Sequence, residues 1–230
     1  MSGDGVSVVL VHGAWADGSS WSKVISALSA KGIAVAAPQL PLMSLSNDVD
    51  VVEQVIERAK GPVVLVGHAY GGAVIGACTS SKVSALVYVA ALAPDLGEKV
   101  TDVFYRSPPH PMSPQLAPDI HGLIWLPDGA FARAFAQNAS DDELAVLAAV
   151  QRPIAPACIT SPVDSPLWKK VPSWFLIAEE DRMIPFETQR FMSERMQAQV
   201  WSRSVDHTPA VTEPDVVTDI IFEAIKAVKR

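Results

Sequence analysis

The sequence predicts an α/β protein, with one mostly parallel, doubly wound sheet, helices on both faces and a small helical cap, all in a single domain over residues 1–230. Three observations carry this. Short apolar runs rich in β-branched residues alternate with segments whose apolar side chains recur at helical spacing. Glycine ends the first two helical segments, at Gly32 and Gly61. The alternation breaks once, over about residues 104–170, where proline is frequent and strand-like runs are few.

The elements follow in order. Ser7–Val11 is a continuous apolar run ending near Gly13, the pattern of a strand buried on both faces. Residues 20–31 set Trp21, Val24, Ile25 and Leu28 at helical spacing. Ile33–Ala37 reads as a strand, about 46–60 as a helix, Pro62–Val66 as a strand and about 70–80 as a helix. Ser84–Val89 and Trp174–Ile177 are the next strands. A helix near 187–197, a strand near 199–205 and a helix near 213–229 complete the alternation. Within 104–170, Phe131–Phe135 and Asp141–Val150 look helical. This region lies between sheet strands, so it is expected to fold over their carboxyl ends as a cap; an ordinary surface excursion is the alternative. Ligands of such sheets bind at those strand ends.

Composition narrows the function. Of the 230 residues 49% are hydrophobic and 19% charged, enough apolar material for the whole chain to fold. A net charge of -7 without a Lys/Arg cluster speaks against nucleic acid or an anionic membrane as partner, because both require a local positive footprint. The apolar run Val6–Val11 follows a polar, Gly-containing start and lacks the length and basic flank of a signal peptide, and no stretch is long enough to span a bilayer. A cytoplasmic protein is expected. Cys78 and Cys158 sit in different kinds of segment, as a pair of reduced thiols would. Neither a metal cluster nor a nucleotide loop is visible, so no cofactor is expected. Oligomeric state is not legible.

One motif carries chemistry. Val63–Val66 runs straight into Gly67-His68-Ala69-Tyr70-Gly71-Gly72 and then into an apolar helix opening Ala73-Val74-Ile75. A strand-to-helix turn this tight needs small residues two before and two after its centre, the places of Gly67 and Gly71.

Together with His12-Gly13-Ala14-Trp15-Ala16-Asp17-Gly18, Leu86–Ala91, Glu180-Asp181-Arg182-Met183-Ile184-Pro185 and Asp206-His207, this motif resembles the α/β-hydrolases of the compact bacterial esterase type, related to plant methylesterases and hydroxynitrile lyases. The resemblance spans both ends and the middle of the chain. It implies the α/β-hydrolase fold and an enzyme of the carboxylic ester hydrolase type. Position 69 becomes the nucleophile slot, Asp181 the acid and His207 the base, in the chain order of the fold; Glu180 is the fallback acid. The backbone N–H groups of Ala14 and Tyr70 become the oxyanion hole, and His12 and His68 framework residues. Trp15 and Trp21 either line the pocket or anchor their loop. Leu123, Ile124, Trp125 and Phe131 hint at a hydrophobic acyl or aryl group, or pack the cap. His110 and His121 are expected to be incidental.

Ala69 departs from the family pattern. Alanine supplies neither nucleophile nor proton, so no acyl-enzyme can form here. Either serine was replaced or the alanine is native. Three functions remain open: a small-molecule ester or lactone hydrolase lineage acting through His207, Asp181 and the oxyanion hole; a noncovalent lyase such as a β-keto acid decarboxylase; and a ligand-binding pseudoenzyme. The resemblance supports the lyase through plant methylketone synthases, which also carry alanine in the slot.

Overall fold

The computed structural model describes residues 5–229; the expectation of a polar start at residues 1–4 lies outside them. The chain runs through β1 (Ser7–Val11), α1 (Ser22–Ala30), β2 (Ala34–Ala36), α2 (Leu45–Glu57), β3 (Val63–His68), α3 (Gly71–Ala77) and β4 (Val83–Val89). Next come α4 (Val100–Phe104), a π-helical turn at Phe131–Phe135, α5 (Asp141–Ala149) and α6 (Pro156–Thr160). The last part is β5 (Ser173–Ala178), α7 (Phe186–Arg195), β6 (Gln199–Arg203), α8 (Pro209–Thr212) and α9 (Pro214–Val228).

The six strands form one sheet in the order β2-β1-β3-β4-β5-β6, and every pairing among them is parallel. Apolar residues alternate across it. Val9, Val11, Val63, Leu65, Tyr88 and Phe175 face one layer, with α2, α3 and α7. Val8, Leu10, Val64, Val66, Val87 and Trp174 face the other, with α1 and α9. Both faces of the four central strands β1, β3, β4 and β5 are therefore buried, which is why these read as apolar runs, while the edge strands β2 and β6 are partly exposed. The chain goes outward from β1 to β2 and returns to the far side of β1 with β3. Its direction of winding reverses between β1 and β3, and a crevice opens there at the strand ends. Register sharpens the point: Val11 pairs with Gly67, so the loop after β1 and the turn after β3 leave the sheet side by side.

Three expectations shift in detail. The helix expected over 70–80 stops at Ala77, because the Glu53 carboxylate of α2 takes the backbone N–H groups of Thr79 and Ser80. The excursion expected from 104 begins with α4 at Val100. Besides α5, which opens with a Ser140–Glu143 capping box, it holds α6 and short bridges such as Ile124 with Ile154. No described helix is long and apolar enough to cross a membrane.

The turn after β3 tolerates no side chain at its two flanking glycines. A Cβ at Gly71 would lie 2.5 Å from the Val11 carbonyl oxygen and 2.7 Å from that of His12; one at Gly67 would lie 2.6 Å from the Gly71 carbonyl oxygen. Backbone cannot yield as a side-chain tip does. Gly71→Ala is expected to lower stability by about 3 kcal/mol or more. Gly76→Ala, in the same helix, meets the Tyr88 hydroxyl at 3.3 Å and Trp168 Cδ1 at an ordinary 4.0 Å and gains helix propensity, so a change within about 1 kcal/mol is expected. Urea unfolding of the two variants checks the contrast.

Candidate active site

The crevice is framed first by strained backbone. Ala69 sits at φ 48° and Trp15 at φ 59°, the left-handed region that side chains other than glycine rarely adopt. Ala69 is held there by its N–H to the Val89 carbonyl and by the N–H groups of Gly72 and Leu92 on its own carbonyl. A Cβ on Gly13 would lie 2.9 Å from that of Ala69, so the loop after β1 packs directly on the turn after β3. The amide N–H groups of Ala14 and Tyr70 donate to no described group, and both residues line the same pocket.

Across the pocket stands His207, in the segment after β6. Its Nδ1 lies 2.8 Å from Asp181 Oδ2, and both side chains are buried. The other Asp181 oxygen accepts the N–H groups of Met183 and Ile184 at 2.7 and 2.8 Å, and Gln189 Nε2 donates to Oδ2 at 2.9 Å. Gln189 is fixed in turn, accepting from Ala178 N–H and donating to the Ile184 carbonyl. An acceptor at Nδ1 places the ring proton there. The Nε2 lone pair is left without a described partner on a residue that lines the pocket.

Two further imidazoles form the frame. His68 Nε2–H donates to the His207 backbone carbonyl at 2.7 Å, and the two rings lie 4.8 Å apart. His12 donates from Nδ1 to the Gly13 carbonyl and accepts the Leu40 N–H at Nε2, which ties the loop after β1 to the segment after β2. Burial holds His12 down to about 4 and His68 to about 3, the neighbouring His207 adding to the second. Unfolded, both rings take a proton near their ordinary value. Stability is therefore complete above about pH 6.5 and falls as pH drops, by about 1.4 kcal/mol per pH unit for each ring while only the unfolded chain binds the proton. Asp48 and Asp206 act oppositely, since burial raises both carboxyls and the folded chain takes their protons first. They offset the loss toward the acid end. The urea midpoint is expected to be lower at about pH 5 than at about pH 7.5, and a midpoint that rises on acidification would contradict this assignment.

The pocket encloses about 660 Å³ including its open mouth. Ala14, Trp15, Ala69, Tyr70 and His207 are brought together on it, with Ile124 and Ile154 from the excursion opposite. Its lining side chains are hydrocarbon apart from hydroxyls, the Trp15 indole, the Met183 thioether and His207, and no described Lys, Arg, Asp or Glu lines it. Trp15 does both things expected of it, lining the pocket while its indole N–H donates to the Ile124 carbonyl at 3.0 Å. Trp21 is an anchor, buried in the layer with α1 and α9.

Trp125 corrects the expectation of a pocket residue. Ile124 pairs with Ile154 in an extended bridge, so neighbouring side chains alternate: Ile124 and Leu126 point inward and Trp125 outward, 44% exposed, with its indole N–H on Asp119. Phe131 is buried against Phe135, and it is Phe135 that meets both the pocket and His207. Glu180 faces solvent and approaches Asn138, whereas Asp181 meets the imidazole. His110 and His121 lie off the pocket. The sequence reading missed Gln189 and gave no role to Asp206, although it quoted Asp206 beside His207; Asp206 accepts from Asn138 N–H, Thr208 N–H and the Thr212 hydroxyl and so ties the excursion to the His207 segment. No sequence spacing names Gln189 as the partner of Asp181 or Asn138 as that of Asp206.

Comparison with known proteins agrees with this fold. An Aspergillus novofumigatus protein named alpha/beta hydrolase nvfD is 24% identical over 95% of this chain and 96% of its own. The crystal structure of polyneuridine aldehyde esterase superposes with a TM-score of 0.82 at 20% identity, covering 96% of this chain and 98% of that one. Tomato methylketone synthase I, as an H243A variant complexed with beta-ketoheptanoate, gives 0.82 at 18% identity, covering 98% and 99%. At these identities the two structures establish the shared fold. The profile of the alpha/beta hydrolase family matches residues 8–220, and the chain belongs to that family.

Proposed function

We propose that the chain is a small-molecule enzyme of an ester or lactone hydrolase lineage, working without a serine nucleophile and with the excursion expected over about 104–170, together with α4 from Val100, as a cap over the pocket. One observation carries the reading: the imidazole oriented by Asp181 faces the same apolar pocket as Ala69 and the two unpartnered amides of Ala14 and Tyr70. His207 Nε2 takes a proton from a water as its oxygen attacks the substrate carbonyl carbon. The carbonyl oxygen gains the negative charge and accepts from the Ala14 and Tyr70 N–H groups. The tetrahedral adduct then expels the alkoxide, which takes the proton back from His207, leaving a carboxylic acid and an alcohol. Walls without charged side chains suit a neutral, apolar acyl or aryl group.

Ala69 favours a second reading specifically. Without a hydroxyl at the turn, a β-keto acid can enter with its ketone oxygen on the two amides. Loss of carbon dioxide sends the C–C bond electrons to that oxygen as an enolate, and a solvent proton relayed through His207 Nε2 to the α-carbon gives the ketone. A desolvated carboxylate, unpaired in an apolar pocket, is destabilised relative to neutral carbon dioxide. The test is product analysis on the unaltered chain with p-nitrophenyl butyrate and with a medium-chain β-keto acid. Acid release lost in His207→Ala supports the hydrolase, and carbon dioxide release lost in the same variant supports the lyase. Tight ligand binding with neither product would overturn both in favour of a binding protein.

A further inference from the structure

Behind the pocket lies a buried polar cluster that the chemistry above does not use. Asp48, on α2, is fully buried and forms no ion pair with any described cation. Its Oδ1 accepts the Leu42 N–H at 2.8 Å; its Oδ2 accepts the Tyr70 hydroxyl at 2.7 Å and the Cys158 thiol at 3.7 Å. Leu42 is held at φ 59°, a conformation that needs outside support. It has two: the Asp48 carboxylate on its N–H, and the Ala155 N–H on its carbonyl at 2.9 Å.

Followed onward, these bonds reach the opposite wall of the pocket. Ala155 adjoins Ile154, which exchanges both backbone hydrogen bonds with Ile124, and the Ile124 carbonyl accepts the Trp15 indole N–H. One end of the chain of bonds is therefore Tyr70 and the other Trp15, the next residue after Ala14. Those two neighbourhoods carry the unpartnered amides. The links between them, Ile124 and Ile154, belong to the cap and line the pocket.

We propose that Asp48 is a positioning residue, whose buried carboxylate locks the cap to the turn carrying Ala69 and so holds the Tyr70 amide and the Trp15 loop at a fixed separation across the pocket. The inference rests on the functional reading above for what those amides do, and on the hydrogen bonds alone for the lock. The chemistry explains why an acid stands here. Leu42 N–H can only donate, and two acceptor oxygens fix the Tyr70 hydroxyl and the Cys158 thiol as donors as well. Burial raises the Asp48 carboxyl and pushes the Cys158 thiol up to about 12, so the closed cluster presents no reactive thiolate.

Cys158 is thus a built-in reporter of cap opening, and Cys78, buried against the sheet, is its internal control. The experiment is iodoacetamide alkylation of the folded chain, followed at each cysteine by peptide mass spectrometry, with no substrate present. Asp48→Ala leaves three donors, the Leu42 N–H, the Tyr70 hydroxyl and the Cys158 thiol, without their acceptor, and is expected to speed Cys158 alkylation at least about tenfold with Cys78 within about twofold. Asp48→Asn should restore most of the protection, since its amide oxygen can still take the Leu42 N–H while its NH₂ faces the Tyr70 oxygen. Tyr70→Phe removes a single donor and should give about a threefold rise, which carries the test if Asp48→Ala does not fold. An unchanged Cys158 rate, equal acceleration at both cysteines, or no rescue by asparagine overturns the lock. A second arm adds Asp48→Ala to Ala69→Ser and reads ester turnover, where kcat is expected to drop about tenfold with KM nearly constant. A rise in KM alone overturns the positioning of the amide. Absence of turnover in both chains counts against the functional reading and leaves the alkylation result to decide the lock.

Discussion

Ala69→Ser is expected to raise the hydrolysis of a short aryl ester such as p-nitrophenyl acetate at least about a hundredfold. The gain follows from what the turn already holds in place. Ala69 carries the positive φ that such a turn imposes, so a serine would inherit the strained backbone with no rearrangement of its own. Its hydroxyl would extend from a Cβ that borders the pocket, with room beside it because residue 13 is glycine. His207, oriented by Asp181, lines the same pocket and can take the hydroxyl proton. Attack then becomes intramolecular, and the reaction divides into acylation and deacylation. Two signatures should accompany the rate: a burst of p-nitrophenol close to the enzyme concentration, and a transient mass increase of one acetyl group. A folded variant with unchanged turnover and no acylated species would sink the hydrolase lineage, because the base and the amides would then be aimed elsewhere.

The sequence disclosed the parts of this site that local rules govern. A run from buried strand through two small residues into an apolar helix has one tight solution, so the turn at Ala69 was legible without coordinates. The unbroken apolar runs and Gly32, at φ 72°, announced the alternation for a similar reason, whereas α2 ends at Glu57, short of Gly61. The excursion was harder, because short bridges rather than long periodic helices organise it. Trp125 shows the cost: the run around it was read as a patch, whereas the Ile124–Ile154 bridge imposes alternation and turns the indole to solvent. Asp48 left a signal that went unread. It occupies the same helical face as Leu45, Val52 and Ile56, all buried, and a carboxylate on such a face needs donors from elsewhere. Which donors they are depends on Leu42, Tyr70 and Cys158, and no spacing in α2 names them.

In the Ala69→Ser background, Asp181→Asn is expected to lower kcat by about 10³- to 10⁴-fold. The hydrogen bonds leave asparagine only one orientation. Met183 and Ile184 both present backbone N–H groups to Oδ1, and these cannot become acceptors, so the amide oxygen must stay there. The NH₂ then replaces Oδ2 and faces His207 Nδ1 and Gln189 Nε2. Gln189 cannot turn to suit it without giving up its bonds to Ala178 N–H and the Ile184 carbonyl. A donor opposite Nδ1 drives the imidazole proton to Nε2, the atom that must accept the proton of the nucleophile. The base is thus present, packed and in the wrong tautomer, which separates this variant from one that merely loosens the fold. Glu180→Gln should keep turnover within about twofold, since that side chain lies in solvent and does not meet the imidazole. If the two variants lost activity equally, or if Asp181→Asn kept most of it, the carboxylate would not be what orients His207. A retained melting temperature in Asp181→Asn, with kcat collapsed and KM little moved, is the outcome that assigns the loss to proton position.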